Sequence, residues 1–293
     1  MPGPSIAAVA LSHSPPMSQD TERVQGLAFR QALAEVVAAV RAYEPTLVVY
    51  FGPDHMRALV GITPCFTVAE SATGYGDWGT AEDDYDVPTD VAVALGRSLV
   101  EAGIDVAVAP HLRLDHGFGQ STTDLFGGLS SVPMLPVVIN CIDRPVASAA
   151  RTAALGTAVG DFLRRFCSPD ERVLVVGSGG LSHAPPSLAP GVRELSEADR
   201  QRIIADNLAR AAEAINPPWD SQFLERIGSP DWASVATLTH EELRPAGAGG
   251  AEVRTWIAAA FAAGEPLMTA AYEPVTQWIT GMGIATSASL QAH

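Results

Sequence analysis

Four histidines stand in short turns built from Gly, Pro, Asp and Ser: His13 in LSHSPP, His55 in GPDHM, His116 in LDHGFG and His183 in LSHAPP. A neutral imidazole is a metal ligand, and one with an ordinary pKa of ~6.5 carries protons near neutrality. Two imidazoles and one carboxylate facing a cavity make the facial set of non-haem iron(II), which leaves positions open for reactants. The same set suits catalytic zinc. Spacing alone does not separate ligands from proton carriers among the four histidines, nor choose one carboxylate among 33. It supports a metalloenzyme with histidine acid–base groups.

Such chemistry needs elements that bring distant turns together. The apolar runs 5–11, 46–51, 105–109, 134–140 and 172–177 read as buried strands. Between them, residues 25–43, 89–103 and 146–166 are Ala- and Leu-rich with helical periodicity. This alternation predicts an α/β fold, a three-layer α/β/α sandwich around a mixed, mainly parallel sheet. His13 follows the first strand, His55 the second, His116 the third and His183 the fifth. Ligands in such sheets bind beyond the carboxyl ends of strands, so these turns can share one crevice. Beyond residue 190 the pattern becomes helix upon helix (196–215, 217–227 and 249–264), which predicts one domain, residues 1–293, with a helical C-terminal part.

Composition narrows the function classes. A net charge of −15 argues against nucleic acid and anionic membrane as partners. All 18 basic residues are Arg, so a Schiff-base lysine, a pyridoxal-phosphate site and a lysine-bearing phosphate loop are excluded. Cys65, Cys141 and Cys167 are few and widely spaced, which fits a reducing, cytoplasmic setting and not a disulfide framework. No apolar stretch reaches the ~18–20 residues of a membrane span.

The order of several motifs adds a resemblance. LSHSPP, VVYFGPDH, GDWGTAEDDYDVP, LDHGFGQ, LPVVINC, RVLVVGSGGLSHAPP, NPPWDSQF, EVRTWIAA and WITGMG together resemble the class III, LigB-type extradiol ring-cleaving dioxygenases. The resemblance implies an Fe(II) enzyme that opens a 3-substituted catechol, such as 3-(2,3-dihydroxyphenyl)propionate, with O2 as co-substrate. It implies His13, His55 and Glu252 as metal ligands. Read alone, Glu252 in GGAEVRTW is only an acidic residue at a helix start, where the helix dipole favours it. It implies His116 and His183 as the acid–base pair, with Asp115 orienting His116. LSHxPP is then one turn used twice, for a ligand and for a proton carrier.

A side-chain carboxylate on the substrate needs a cation, and Arg57, Arg113 and Arg254 are the loop candidates; Pro185 follows the second histidine turn and joins them as a substrate contact. Two stretches depart from the family pattern: Met56–Arg57 after His55, and SLAPGVRELSEADRQ after LSHAPP, which is shorter and lies where it would cap the pocket. Another 3-substituted catechol therefore stays open as substrate. Apolar helix faces suggest a homo-oligomer. The alternative enzyme is a zinc hydrolase on the same residues, which would need no dioxygen.

Overall fold

Side chains on a strand point alternately to opposite faces, and here both faces are apolar. In strand β1 (Ser5–Leu11), Ala8 and Ala10 join one buried cluster while Ala7, Val9 and Leu11 join another. Strand β2 (Leu47–Gly52) splits Val49 and Phe51 from Val48 and Tyr50 in the same way. Strands covered on both faces read as continuous apolar runs, which is why the sequence displays them.

The computed structural model describes residues 3–142, 145–188 and 195–292. The remaining strands are β3 (Phe66–Ala69), β4 (Ala72–Gly74), β5 (Ala107–Ala109), β6 (Leu112–Leu114), β7 (Met134–Ile139), β8 (Arg172–Ser178), β9 (Met268–Val275) and β10 (Thr280–Thr286). An eight-stranded sheet runs β5–β3–β7–β2–β8–β1–β10–β9, and β4 pairs with β6 in a small parallel sheet. The central strands β7, β2, β8 and β1 are parallel, whereas β3 and the β9–β10 hairpin enter antiparallel.

Helices α1 (Pro15–Gln19), α2 (Leu27–Tyr43), α3 (Thr89–Glu101), α4 (His116–Phe126), α5 (Ala149–Phe166), α6 (Glu197–Ala212), α7 (Pro217–Gly228), α8 (His240–Leu243), α9 (Val253–Ala263) and α10 (Ala288–Gln291) complete the fold. One face of the sheet takes Phe29, Leu33 and Val36 of α2 and Phe118 and Leu125 of α4. The other takes Leu95 of α3, Leu155 and Val159 of α5, Phe223 of α7 and Trp256 of α9. The three-layer α/β/α sandwich and the mixed sheet are therefore as the strand–helix alternation predicts.

Two differences concern the site. The expected helices beyond residue 190 are present, but the chain then returns as the β9–β10 hairpin and pairs with β1. Gly281 and Gly283 give β10 a weak strand signature, and tertiary pairing overrides it. His116 does not follow the main-sheet strand 107–109; the separate strand β6 delivers it. Residues 189–194, within the stretch after LSHAPP, lie outside the described residues.

Candidate active site and metal centre

Helix α9 is buried nearly all round, and its alanines let it lie close to the sheet. A Cβ on Gly177 of β8 would fall 2.7 Å from the Thr255 carbonyl oxygen, so glycine there permits the approach. The single turn of 3-10 helix ahead of α9, Gly249–Glu252, thus sets the Glu252 carboxylate beside the end of β8. Glu252 Oε2 accepts the Gly180 N–H at 2.9 Å, and Oε1 lies 3.1 Å from His55 Nε2 and 3.7 Å from His183 Nε2.

The turns beyond β1, β2 and β6 supply three imidazoles. His13, His55 and His116 offer ligand atoms that all lie within 4.8 Å of one another. The rings of His55 and His116 stack with centroids 4.2 Å apart, and His13 meets both edge-on at 5.4 and 5.5 Å. His183, beyond β8, is buried, and its Nε2 approaches the same Glu252 oxygen that His55 meets.

Each imidazole is held through Nδ1. His13 Nδ1 lies 3.0 Å from Ser178 Oγ. His55 Nδ1 faces Asp115 Oδ1 at 3.2 Å, and its backbone N–H donates to Asp115 Oδ2 at 2.6 Å. His116 Nδ1 faces Asp77 Oδ2 at 2.7 Å, and its backbone N–H donates to Asp77 Oδ1 at 2.8 Å. His183 Nδ1 donates to the Leu181 carbonyl at 2.9 Å. Carboxylate and carbonyl acceptors keep the proton on Nδ1 and leave the Nε2 lone pair free, as metal-binding and proton-accepting histidines both require.

These contacts correct one expectation. Asp115 does not orient its neighbour His116. It is the N-cap of α4, where Oδ1 accepts the Gly117 N–H at 2.9 Å, and the cap geometry turns its carboxylate toward His55. Asp77 holds His116 instead. Asp77 lies in GDWGTAEDDYDVP, and the glycines on either side of Asp77–Trp78 are the signal in the sequence that marks its turn. Ser178 carried none.

Burial drives the electrostatics. Burial, opposed by Glu252 and helped by His55 and His116, pulls the His13 pKa down to about 3, so His13 is neutral at pH 7. Burial opposes charge on His55 too, but Asp115 and then Glu252 outweigh it and lift its pKa well above the usual histidine value. For Glu252, burial is outweighed by His183, His55 and His13, which hold its carboxyl well below the usual range. For Asp115, burial is outweighed chiefly by His55.

The donor set fits a divalent cation. Glu252 is 1% exposed and faces the imidazoles of His55 and His183. A buried carboxylate needs a compensating cation. His55 Nε2 and Glu252 Oε1 face each other at 3.1 Å, a contact that a proton on Nε2 satisfies in the metal-free protein and that a bound divalent cation would satisfy in its place.

The proposed substrate contacts fall at different depths. Arg57 lies at the rim, its buried Nε without a hydrogen-bond partner and 3.8 Å from Asp77, with its guanidinium over the Tyr75 ring. Arg113, whose guanidinium also lies over the Tyr75 ring, donates to the Tyr75 carbonyl and approaches Glu82. Arg254 is buried, donating to the carbonyls of Ala147 and Ala251, with Nη2 3.4 Å from His240 Nδ1; these contacts hold the start of α9. Pro185 is half-buried just beyond His183, and its carbonyl accepts the Leu188 N–H.

Fold and site together define an α/β enzyme whose buried imidazoles converge as metal ligands do. The family is narrower than that class. A model described as the catalytic LigB subunit of aromatic ring-opening dioxygenase matches residues 7–283, and the chain belongs to this family. It is 37% identical to the 2,3-dihydroxyphenylpropionate/2,3-dihydroxicinnamic acid 1,2-dioxygenase of Mycobacterium ulcerans (strain Agy99), over 97% of this chain and 98% of that protein. The protein of the same name from Rhodococcus sp is 34% identical over 97% of this chain and 99% of its own length.

Proposed function

We propose that this chain is an Fe(II)-dependent extradiol dioxygenase that opens a 3-substituted catechol such as 3-(2,3-dihydroxyphenyl)propionate. The observation that carries the proposal is the buried Glu252 carboxylate, set 3.1 Å from His55 Nε2 beside His13 in a chain of the LigB family. His13, His55 and Glu252 would hold the metal, because Glu252 Oε1 and His55 Nε2 face each other at 3.1 Å and His13 lies edge-on to the His55 ring. Bound there, iron(II) would supply open positions for catechol and dioxygen and a path for electrons between them.

The chain's own residues then do the rest. His116, with Nδ1–H on Asp77, takes a catechol proton at Nε2. His183, with Nδ1–H on the Leu181 carbonyl, takes up a second proton at Nε2 and, as the imidazolium, delivers it to oxygen as the ring opens, returning to its Nδ1–H form. Both atoms of O2 end in a 2-hydroxy-6-oxo-dienoate. Arg57 receives the substrate's side-chain carboxylate, since it is the one of the three candidate arginines placed beside the His116–Asp77 pair with a donor unspent.

Family membership favours this reading over zinc-dependent hydrolysis. Residues 1–293 form a single catalytic domain in this proposal, supported by β1 and β10 pairing from opposite ends of the chain. Three free cysteines support a reducing, cytoplasmic setting, and no helix among the described residues is long and apolar enough to cross a membrane. Exposed Phe166, Val100 and Val108 support a homo-oligomer. The test is oxygen uptake after anaerobic loading with Fe(II) and mixing with 3-(2,3-dihydroxyphenyl)propionate and air. Stoichiometric uptake with a yellow product is expected; no uptake with this compound or with simple catechols, despite bound iron, overturns the proposal.

A further inference from the structure

Two carboxylates in this site do the same thing. Asp115 takes the backbone N–H and the ring Nδ1 of His55, one on each oxygen. Asp77 takes the backbone N–H and the ring Nδ1 of His116, at 2.8 and 2.7 Å. Gripping a histidine at both backbone and ring fixes χ1, ring direction and tautomer together. It leaves Nε2 as the one exchangeable position, pointed at the other imidazoles.

Asp77 is built to stay there. It begins the turn Asp77–Gly79, whose centre, Trp78, holds a left-handed backbone at φ 53, a conformation unfavourable for a bulky residue. Gly76 and Gly79 on either side take positive φ at no such cost. Thr80 closes the turn, its hydroxyl donating to the Asp77 carbonyl at 2.7 Å and its N–H at 3.0 Å. The Asp77 side chain is 9% exposed, and Arg57 Nε lies 3.8 Å from Oδ2, the same oxygen that faces the His116 ring. Strained turns of this kind recur where a side chain must be aimed.

We propose that Asp77 is a positioning residue for the ring-opening reaction: it acts through His116, fixing the Nδ1–H tautomer so that Nε2 meets the substrate hydroxyl. This rests on the reading of His116 as a proton carrier. Asp77 touches neither substrate nor metal ligand in this role, so its loss spares binding and removes turnover.

Asp77→Asn tests it while keeping shape. Asn offers one acceptor where two donors converge, so His116 keeps either its backbone or its ring contact but not both. Expected are unchanged iron stoichiometry, a KM for 3-(2,3-dihydroxyphenyl)propionate within about threefold, and kcat lowered roughly a hundredfold or more. Nitrogen-15 histidine NMR of the metal-free protein should show the His116 Nδ1–H tautomer lost in the variant, a signature that mere destabilisation does not produce. In a His116→Ala background, followed by oxygen uptake over hours, the same substitution should add nothing, because the two residues act as a unit.

Unchanged kcat in Asp77→Asn, an additive further loss in the His116→Ala background, or loss of iron with the tautomer retained overturns the proposal. If Asp77→Asn does not fold, Asp77→Glu displaces the charge by one methylene and carries the same readouts. Failure of the underlying reading looks different: His116→Ala itself would turn over normally, and the reason for Asp77 would fall with it.

Discussion

LSHSPP and LSHAPP differ at one position, yet the fold uses them in opposite ways. Both turns are latched to β10. The Ser12 N–H donates to the Gly283 carbonyl and Ser12 Oγ accepts the Gly283 N–H, while the Leu181 N–H and Ser182 carbonyl bond to Gly281. Beyond the latch they part. The first Pro-Pro pair opens α1, where proline at the first helical positions has no N–H to lose, and His13 is backed by a serine hydroxyl from β8. The second turn is clamped from three sides. Asp220 accepts the Ser182 N–H, the Ser182 hydroxyl and the Tyr272 hydroxyl at 2.8, 2.6 and 2.7 Å. The His183 N–H donates to the Ala246 carbonyl, and the Gly249 N–H donates to the His183 carbonyl. The lesson is that a hexapeptide sets where a histidine emerges, and the neighbours that back its ring set what it can do.

The sharpest way to break this comparison is to delete each ring. His13→Ala should lose bound iron and, with it, all measurable oxygen uptake. His183→Ala should keep iron near one per chain while turnover falls roughly 10²–10⁴-fold. Iron lost from both variants would make the two turns equal in duty and sink the distinction.

A smaller effect sharpens it on one side only. A Cβ on Gly249 would sit 2.1 Å from His183 Nε2, so Gly249→Ala must push the imidazole aside. Turnover should fall by about 10–100-fold with iron retained, in line with the cost of ~1 Å misplacement of a reacting group. Iron content and steady-state oxygen uptake together decide it. Retention of full activity would show that the ring has room the structure denies it.

The smallest effect separates the turns by pH. In the metal-free protein the folded His13 pKa, about 3, lies below its unfolded value near 6.5. The unfolded chain therefore binds the extra proton between these values. The stability tied to neutral His13 is intact above pH ~6.5 and is lost as pH falls toward 3, by at most ~1.4 kcal/mol per pH unit. Denaturant unfolding of the metal-free protein and its His13→Gln variant should show the gap moving in favour of the variant as pH drops. A gap constant across that range would contradict the burial argument.

Much of this was legible in the residues. Continuous apolar runs marked the central strands because burial on both faces leaves no alternation to hide them. Turn residues marked the places where four histidines emerge, and the motif order carried the family. The β9–β10 hairpin was not legible, since its glycines and short alternation carry weak local preference and its order comes from pairing with β1. That hairpin latches both LSH turns, so the least visible element helps aim the most visible residues.

The sequence by itself determined the central strands of the sheet and the residue types gathered beyond their ends, because period and turn chemistry are local properties of the chain. Only the tertiary structure decided which carboxylate backs which imidazole. Asp115 adjoins His116 in sequence, but capping α4 directs its oxygens to the Gly117 N–H and to His55, 60 residues away. His116 is held from 39 residues away by Asp77. Hydrogen bonds obey distance and direction in space, and a helix cap leaves its own neighbour's ring out of reach.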